Sequence, residues 1–146
     1  VGTGPERDAI LAEARRLDVS HRVHLPGFVD DPASAACLFD MFALSSHSEQ
    51  FPISVVEAMA SGLAVAAPAV GDVSAMVAEE NRSFIAPAGD EAALARAMAT
   101  LAGDAALRSR IGTANRARAR ADYDEKTMVS TYRSIYAQAM KRPAFP

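Results

Sequence analysis

Glu49 and Glu57 stand in the segment of this chain that is best suited to hold a ligand. The segment follows an apolar run at 41–45 that predicts a buried strand, and it enters a predicted helix just after Pro52. A helix N-terminus presents unpartnered backbone N–H groups and a partial positive charge, which together attract a phosphate. Two carboxylates would repel a phosphate, so their natural partners are hydroxyl groups such as the two of a vicinal diol. These residue types predict a site for a ligand that carries both phosphate and sugar hydroxyls.

The spacing along the helix assigns the two glutamates to different parts of such a ligand. Glu57 lies four residues after Ile53, about 6 Å further along the helix axis. This offset matches the step from a phosphate to a ribose, so we expect Glu57 to face a ribose and Glu49 to face a sugar. The backbone N–H groups of Phe51, Ile53 and Ser54 are then expected to hold a diphosphate.

Helix and strand patterns alternate along the whole chain. Helices are predicted over 5–17, 33–39, 54–60, 91–101, 105–111, 113–120 and 124–140, with a helical turn at 73–77. Strands are predicted over 22–25, 41–45, 64–67 and 84–87. Asp90 and Asp104 are predicted to cap the helices that follow them. This alternation indicates an α/β fold, a Rossmann-like parallel sheet with helices on both faces that binds ligands at the carboxyl ends of its strands.

The last predicted helix carries an apolar stripe, and the sequence leaves two interpretations of it open. The stripe is formed by Met128, Tyr132, Ile135, Tyr136 and Ala139. It packs either into the core of this domain or against another domain, where it would leave an apolar patch on this chain.

Composition excludes several classes of protein. The 146 residues suffice for one domain, and no apolar run approaches the ~18–20 residues that span a bilayer. A net charge of −3 and a pI near 5.6 argue against a nucleic-acid binder. Cys37 is the single cysteine, which excludes an intrachain disulfide, argues against a zinc site and favours a cytoplasmic location.

At Glu49, Glu57 and the segments around them the chain resembles a known family. Glu49 and Glu57, separated by seven residues and followed by Ala-Met-Ala-Ser-Gly-Leu at 58–63, resemble the E-x7-E signature of the retaining GT-B glycosyltransferases of family 4. The Gly-Thr-Gly-Pro run at 2–5 resembles the glycine-rich loop of that group. Residues 23–27 resemble its next strand and residues 86–90 its closing turn, so the likeness extends to about Tyr136.

The resemblance implies a fold, an activity and a set of site residues. The chain would form one half of a GT-B fold with a helical C-terminal extension, and this half binds a nucleoside-diphosphate sugar. Glu49 would contact the donor sugar as the catalytic residue. The donor-binding residues would be Glu57, Gln50, Phe51, Pro52, Ile53, Ser54, Gly2, Gly4 and His24, the last through its backbone beside the base. Neither a metal nor a cofactor is expected.

The resemblance also implies a larger enzyme. Residues 1–146 would be a single donor-binding domain that lacks its acceptor domain and its own first strand, and the helix at 124–140 would cross to the missing domain. The acceptor would be a glycan, a lipid or a small molecule. The enzyme would be cytoplasmic, and the resemblance leaves open that it associates peripherally with the inner face of the membrane. The chain alone would be inactive.

The distribution of charge supports this expectation. Between Arg22 and Arg82 the sequence contains no lysine or arginine, yet a departing diphosphate requires cationic stabilisation. In the family an Arg/Lys pair precedes the glycine-rich loop, so we expect these cations upstream of Val1. Gln50 stands where the family usually has glycine, which leaves the donor preference open.

Several alternatives stay open at the level of sequence. A GT-B epimerase acting on a UDP-sugar would share the sheet and the ribose carboxylate, and a non-catalytic interaction module could retain a relic site. The pair Gly2 and Gly4 lacks the third glycine of a dinucleotide fingerprint, since Arg7 occupies that position. His47 is either a group of the site or a structural histidine. The arginines at 108–120 form either a solvated face or a surface for anionic lipid.

Overall fold

The computed structural model describes residues 2–143, which fall into two units, 2–38 and 39–143. The first unit contains helix α1 (Arg7–Arg16), a 3-10 turn (Ser20–Arg22) and the short helix α2 (Pro32–Ala36). The two helices predicted here are confirmed, although α2 is shorter than expected. Asp31 caps α2, since its carboxylate accepts from the Ser34 N–H at 3.0 Å.

The strand predicted over 22–25 is wrong. Arg22 closes the 3-10 turn, and residues 23–29 follow without regular secondary structure. Their side chains still alternate between half-buried and exposed, which explains why the pattern predicted a strand. Within the described residues their backbone pairs with the preceding loop only where the Gly2 N–H donates to the Gly27 carbonyl oxygen, at 2.6 Å. One such bond does not make a ladder.

The second unit is built on a parallel sheet of three strands in the order β1-β2-β3. These strands are Met41–Ala43, Ala64–Pro68 and Ile85–Ala86. Phe42 pairs with Val65, and Ala67 pairs with Ile85. All five residues of the central strand β2 are buried, as expected for a strand covered on both faces. The predicted α/β fold with a parallel sheet flanked by helices is therefore confirmed.

Helices and turns follow each strand of this unit. They are α3 (Ile53–Ala60), α4 (Val73–Met76), a 3-10 helix (Glu79–Phe84), α5 (Glu91–Gly103), α6 (Ala105–Asp122) and α7 (Glu125–Ala139). Asp90 and Asp104 cap α5 and α6, as predicted, through carboxylate oxygens 2.8 Å from the backbone nitrogens of Ala93 and Leu107. Asp124 caps α7 in the same way, and the hydrogen bonds that Thr127 donates hold the pKa of Asp124 below its usual value.

Helix α6 is one continuous helix, so the break predicted near Gly112 is wrong. Gly112 lies in its buried interior, where a Cβ atom would collide with the backbone carbonyl of Gly62. The glycine therefore allows the end of α3 and the middle of α6 to approach each other closely. A glycine that serves a packing contact looks the same in sequence as a glycine that ends a helix.

The core lies between β2 and the helices α5 and α6. Ala64 and Ala66 of β2 pack against Ala97, Leu101 and Ile111 of the two helices. Val65 and Ala67 point to the opposite face and are fully buried as well. The small side chains of β2 let the covering helices sit close to the sheet on this face.

Two buried asparagines complete the sheet where β3 does not reach. The Asn81 side chain accepts from the Val65 N–H at 2.8 Å and donates to the Val65 carbonyl oxygen at 2.7 Å, which replaces a strand partner. Asn115 of α6 donates to Asn81 Oδ1 at 2.8 Å and to the Leu63 carbonyl oxygen at 2.9 Å. This network joins α6 to the central strand and leaves the buried polar groups of both side chains paired.

The apolar stripe of α7 does not belong to the core. Met128, Tyr132, Ile135 and Tyr136 are each about half exposed, whereas Ala137 on the same helix is buried. The interpretation of the stripe as core is therefore wrong, and its role as an interface with another domain stays a prediction. Within residues 2–143 no helix combines the length and the hydropathy needed to cross a bilayer.

Candidate functional site

The loop at 44–52 leaves the carboxyl end of β1 and leads into α3. The Leu44 N–H donates to the Ala66 carbonyl oxygen at 3.0 Å, which extends the pairing of β1 with β2 by one residue before the loop begins. Pro52 is buried in an extended conformation and stands at the N-cap of α3. The predicted order of strand, loop and helix is confirmed, and it places the loop at the edge of the sheet where α/β proteins bind ligands.

The N-terminus of α3 carries no side-chain cap. The Val55 N–H donates to the Pro52 carbonyl oxygen at 3.0 Å, but helix geometry provides no acceptor within α3 for the N–H groups of Ile53 and Ser54. The Ile53 side chain is 68% exposed and Phe51 is 45% exposed, so solvent reaches this end of the helix. The two N–H groups are available for an anionic ligand.

Helix α3 separates a buried face from an exposed one. Val55, Ala58 and Met59 are buried in the core, whereas Ile53 and Glu57 are exposed. Residues four apart lie on one side of a helix, so the Glu57 carboxylate lies on the same side as Ile53, one turn further along. Glu49 is half-buried and lies in the loop before the helix. The offset assumed for the two ligand groups is therefore available on the surface of α3.

The turn between β2 and α4 contacts the backbone of the loop at 44–52. Gly71 has a φ of +52°, and a Cβ atom at this position would lie 2.5 Å from the Glu49 carbonyl oxygen. The next residue, Asp72, donates its N–H to the Gln50 carbonyl oxygen at 2.8 Å. Only a glycine combines this φ with so close an approach. Sequence reasoning missed Gly71, although its place just after a buried strand is typical of a site residue.

A second contact to the loop is formed by two aromatic rings. The Phe51 ring meets the Tyr123 ring edge to face, with 5.6 Å between the centroids and 75° between the planes. Tyr123 lies between α6 and α7, far from the loop in sequence. Gln50, whose carbonyl oxygen accepts from Asp72, is exposed, so its side chain is free to face a ligand.

A cleft of about 370 Å³ opens at the carboxyl ends of all three strands. Its lining residues follow the strands in turn: Ser45, Ser46 and His47; then Pro68 and Val70; then Gly89, Asp90, Glu91 and Leu94. Of these residues, the sequence singled out His47 for the site and Asp90 as a helix cap. Neither Glu49 nor Glu57 lines this cleft. The two glutamates belong to the neighbouring loop and to α3.

In the first unit, the predicted glycines line a cleft of their own. Gly2 and Gly4 belong to a cleft of about 420 Å³ that also involves the start of α1, Leu25 and Gly27. His24, which was expected to contribute its backbone, is exposed and does not line this cleft. Gly2 has a φ of +110°, a conformation that a larger residue rarely adopts.

The stretch from 23 to 81, which contains the loop and α3, carries acidic side chains and no lysine or arginine. Two of the arginines at 108–120 serve the structure: Arg108 donates to the Leu101 and Ala102 carbonyl oxygens at the end of α5, and Arg118 donates to the Ala75 carbonyl oxygen of α4. Among residues 2–143 no three histidine, cysteine or acidic side chains gather closely enough to hold a metal ion. The absence of a metal requirement stays a prediction.

Comparisons with known proteins agree with this architecture. The model of the family "Glycosyl transferases group 1" matches residues 1–104. N-acetyl-alpha-D-glucosaminyl L-malate synthase of Bacillus anthracis is 27% identical over 141 residues, which is 97% of this chain and 37% of that protein. Sucrose-phosphate synthase of Thermosynechococcus elongatus superimposes with a TM-score of 0.87 at 26% identity, over 96% of this chain and 37% of that structure.

A further solved structure carries ligands. Alr3699/HepE of Anabaena, in complex with UDP and glucose, superimposes with a TM-score of 0.82 at 25% identity, over 91% of this chain and 37% of that structure. The chain thus spans little more than a third of the length of each of these three proteins. The family model covers well over half of the chain, and the chain therefore belongs to the group 1 glycosyl transferases.

Proposed function

We propose that this chain binds the nucleoside-diphosphate sugar in a retaining glycosyltransferase. The observation that carries the proposal is the uncapped N-terminus of α3, which adjoins the loop of Glu49 and has Glu57 one turn along its exposed side. Membership of the group 1 glycosyl transferases supports it, as does the structural neighbour that holds UDP and glucose. The donor is a nucleotide bearing a sugar, with the base and the sugar unassigned.

Each group of the loop has a separate task in this proposal. The N–H groups of Phe51, Ile53 and Ser54 bind the diphosphate and stabilise the negative charge that develops on it as it leaves. Glu57 accepts hydrogen bonds from the ribose hydroxyls, and Glu49 accepts from hydroxyls of the donor sugar. These contacts orient the anomeric carbon toward the acceptor.

The remaining donor contacts and the acceptor complete the proposal. Gly2, Gly4 and the backbone of His24 contact the nucleotide, and Gln50 and Pro52 shape the loop beside the sugar. The acceptor, a glycan, lipid or small molecule, is bound by another part of the polypeptide, which also supplies the cations that the stretch from 23 to 81 lacks. The bond from the anomeric carbon to the diphosphate breaks, and a bond from that carbon to the acceptor oxygen forms with retention of configuration. The proton of the acceptor hydroxyl passes to the departing nucleoside diphosphate.

Calorimetric titration of the chain with UDP, GDP and ADP tests the proposal. We expect one of the three to bind, and we expect Glu57→Ala to weaken that binding roughly ten- to hundredfold, because a charge-assisted contact to the ribose is lost. Glu80→Ala, which removes an exposed glutamate from the 3-10 helix, is the matched control and should bind like the wild type. Unchanged affinity in Glu57→Ala would reject its ribose role.

A further inference from the structure

Tyr123 occupies a position that connects distant parts of the second unit. It ends α6, where its N–H donates to the Ala119 carbonyl oxygen at 2.9 Å, and Asp124 begins α7 immediately after it. The Tyr123 side chain is half-buried and lies against the Phe51 ring in the edge-to-face geometry that aromatic pairs prefer. No residue of the loop or of α3 is near Tyr123 in the sequence.

The hydroxyl of Tyr123 makes a second contact that serves the same loop. It donates to the Met76 carbonyl oxygen at 3.3 Å, at the end of α4. The turn that leads into α4 contains Asp72, whose N–H supports the Gln50 carbonyl. The ring of Tyr123 thus touches the loop directly, while its hydroxyl donates to the last residue of α4, the helix whose N-cap residue Asp72 donates to the loop.

We infer that Tyr123 is a positioning residue that keeps the loop at Gln50 and Phe51 in place for ligand binding at the N-terminus of α3. The inference rests on the proposed function, because the loop is worth positioning only if it binds the diphosphate. Phe51 is 45% exposed, and the Tyr123 ring covers part of its remaining surface through the edge-to-face contact. Without the contact the loop gains conformational freedom. Ligand binding must then order the loop again, and this entropy cost lowers the affinity.

Three variants separate the parts of this arrangement. Tyr123→Ala removes the ring and the hydroxyl, whereas Tyr123→Phe removes the hydroxyl alone. Tyr132→Ala makes the same change at a half-exposed tyrosine of α7 and is the matched control. Thermal unfolding of each variant establishes that it folds. If Tyr123→Ala does not fold, Phe51→Ala removes the other ring of the pair from an exposed position and replaces it in the experiment.

The first measurement, made without any ligand, is hydrogen exchange of the Asp72 amide, whose N–H donates to the Gln50 carbonyl oxygen of the loop. We expect Tyr123→Ala to speed exchange of this amide roughly three- to tenfold, the range that corresponds to one aromatic pair. Tyr123→Phe should retain most of the protection because the ring contact remains. Tyr132→Ala should leave the loop unchanged. Equal exchange in Tyr123→Ala and the wild type would overturn the inference.

The second measurement is the affinity for UDP, GDP and ADP, each titrated separately. We expect Tyr123→Ala to bind roughly three- to tenfold more weakly than the wild type, with binding largely restored in Tyr123→Phe. If the wild type binds and Tyr123→Ala binds equally well, the inference fails and the proposed function survives. If the wild type binds none of the three nucleotides, the proposed function fails and the positioning role fails with it.

Discussion

Gly71 is the residue on which the geometry of the loop depends most directly. A Cβ atom at this position would lie 2.5 Å from the Glu49 carbonyl oxygen, and backbone cannot move aside as a flexible side chain can. Gly71→Ala is therefore expected to lower the free energy of unfolding by about 1–3 kcal/mol more than the left-handed backbone strain alone. It should also weaken nucleotide binding, because the loop is displaced. Urea unfolding and calorimetric titration measure the two effects.

Gly89→Ala is the control that isolates the collision from the strain. Gly89 has a φ of +80°, so an alanine there has comparable backbone strain, but nothing lies within 4 Å of the position its Cβ would take. We expect this variant to lose only about 1–2 kcal/mol. Equal losses in the two variants would show that contact with the Glu49 loop contributes nothing to the role of Gly71.

Among single residues, the sequence predicted those whose positions follow from local geometry. Glu57 follows Ile53 by four residues, so helical periodicity alone places both on one side of α3, where the structure shows them exposed. Gly71, Asn81 and Tyr123 act through contacts with residues between 16 and 72 positions away. A single sequence contains no record of such contacts, so the roles of Asn81 and Tyr123 could not be predicted from it, and for Gly71 the only local signal is its place just after a buried strand.

Among the helices and strands, Gly112→Ala tests the packing of α3 against α6. The close contact between the two helices reverses the sign of the stability change that alanine normally brings to a helix. Alanine normally replaces glycine inside a helix with a gain of up to about 1 kcal/mol. In α6 the added Cβ would collide with the Gly62 carbonyl, so Gly112→Ala is expected to lower the free energy of unfolding by about 1–3 kcal/mol instead. Gly103→Ala, at the end of α5 with nothing within 4 Å, should be neutral or stabilising. Chemical denaturation of both variants decides, and a stabilised Gly112→Ala would contradict the close contact of α3 with α6.

The elements that the sequence predicted well are those whose ends are marked by local chemistry. Asp90 and Asp104 cap helices that begin where expected, because a cap bonds to a backbone N–H only three residues away. The segment at 22–25 has the alternation of a strand but lacks the ladder that would make it one. The continuity of α6 through Gly112 depends on α3, which lies 50 residues earlier. Contacts with distant parts of the chain therefore determine both whether 22–25 forms a strand and whether α6 continues through Gly112.

For the molecule as a whole, burial is distributed unevenly. Among the described residues of the first unit the buried hydrophobic ones are Ala14 and Ala36, both small, whereas the second unit buries whole side chains such as Leu101 and Ile111 around β2. Free energy of burial grows with the apolar area removed from water, so the second unit has most of this stabilisation. The large apolar side chains of α7 contribute less to it than buried ones do, because they are about half exposed.

Leu101→Ala and Ile135→Ala turn this distribution into a prediction about stability. Leu101 is fully buried between α5 and the sheet, so its truncation leaves a cavity and should lower the free energy of unfolding by about 2–5 kcal/mol. Ile135 is 53% exposed on α7, and its truncation should change the free energy by less than about 1 kcal/mol. Both changes remove comparable aliphatic side chains from helices, so the difference measures burial. Urea unfolding gives both values. Similar losses would mean that α7 packs into the cooperative core of the domain, and its exposed stripe would then no longer be available to another domain.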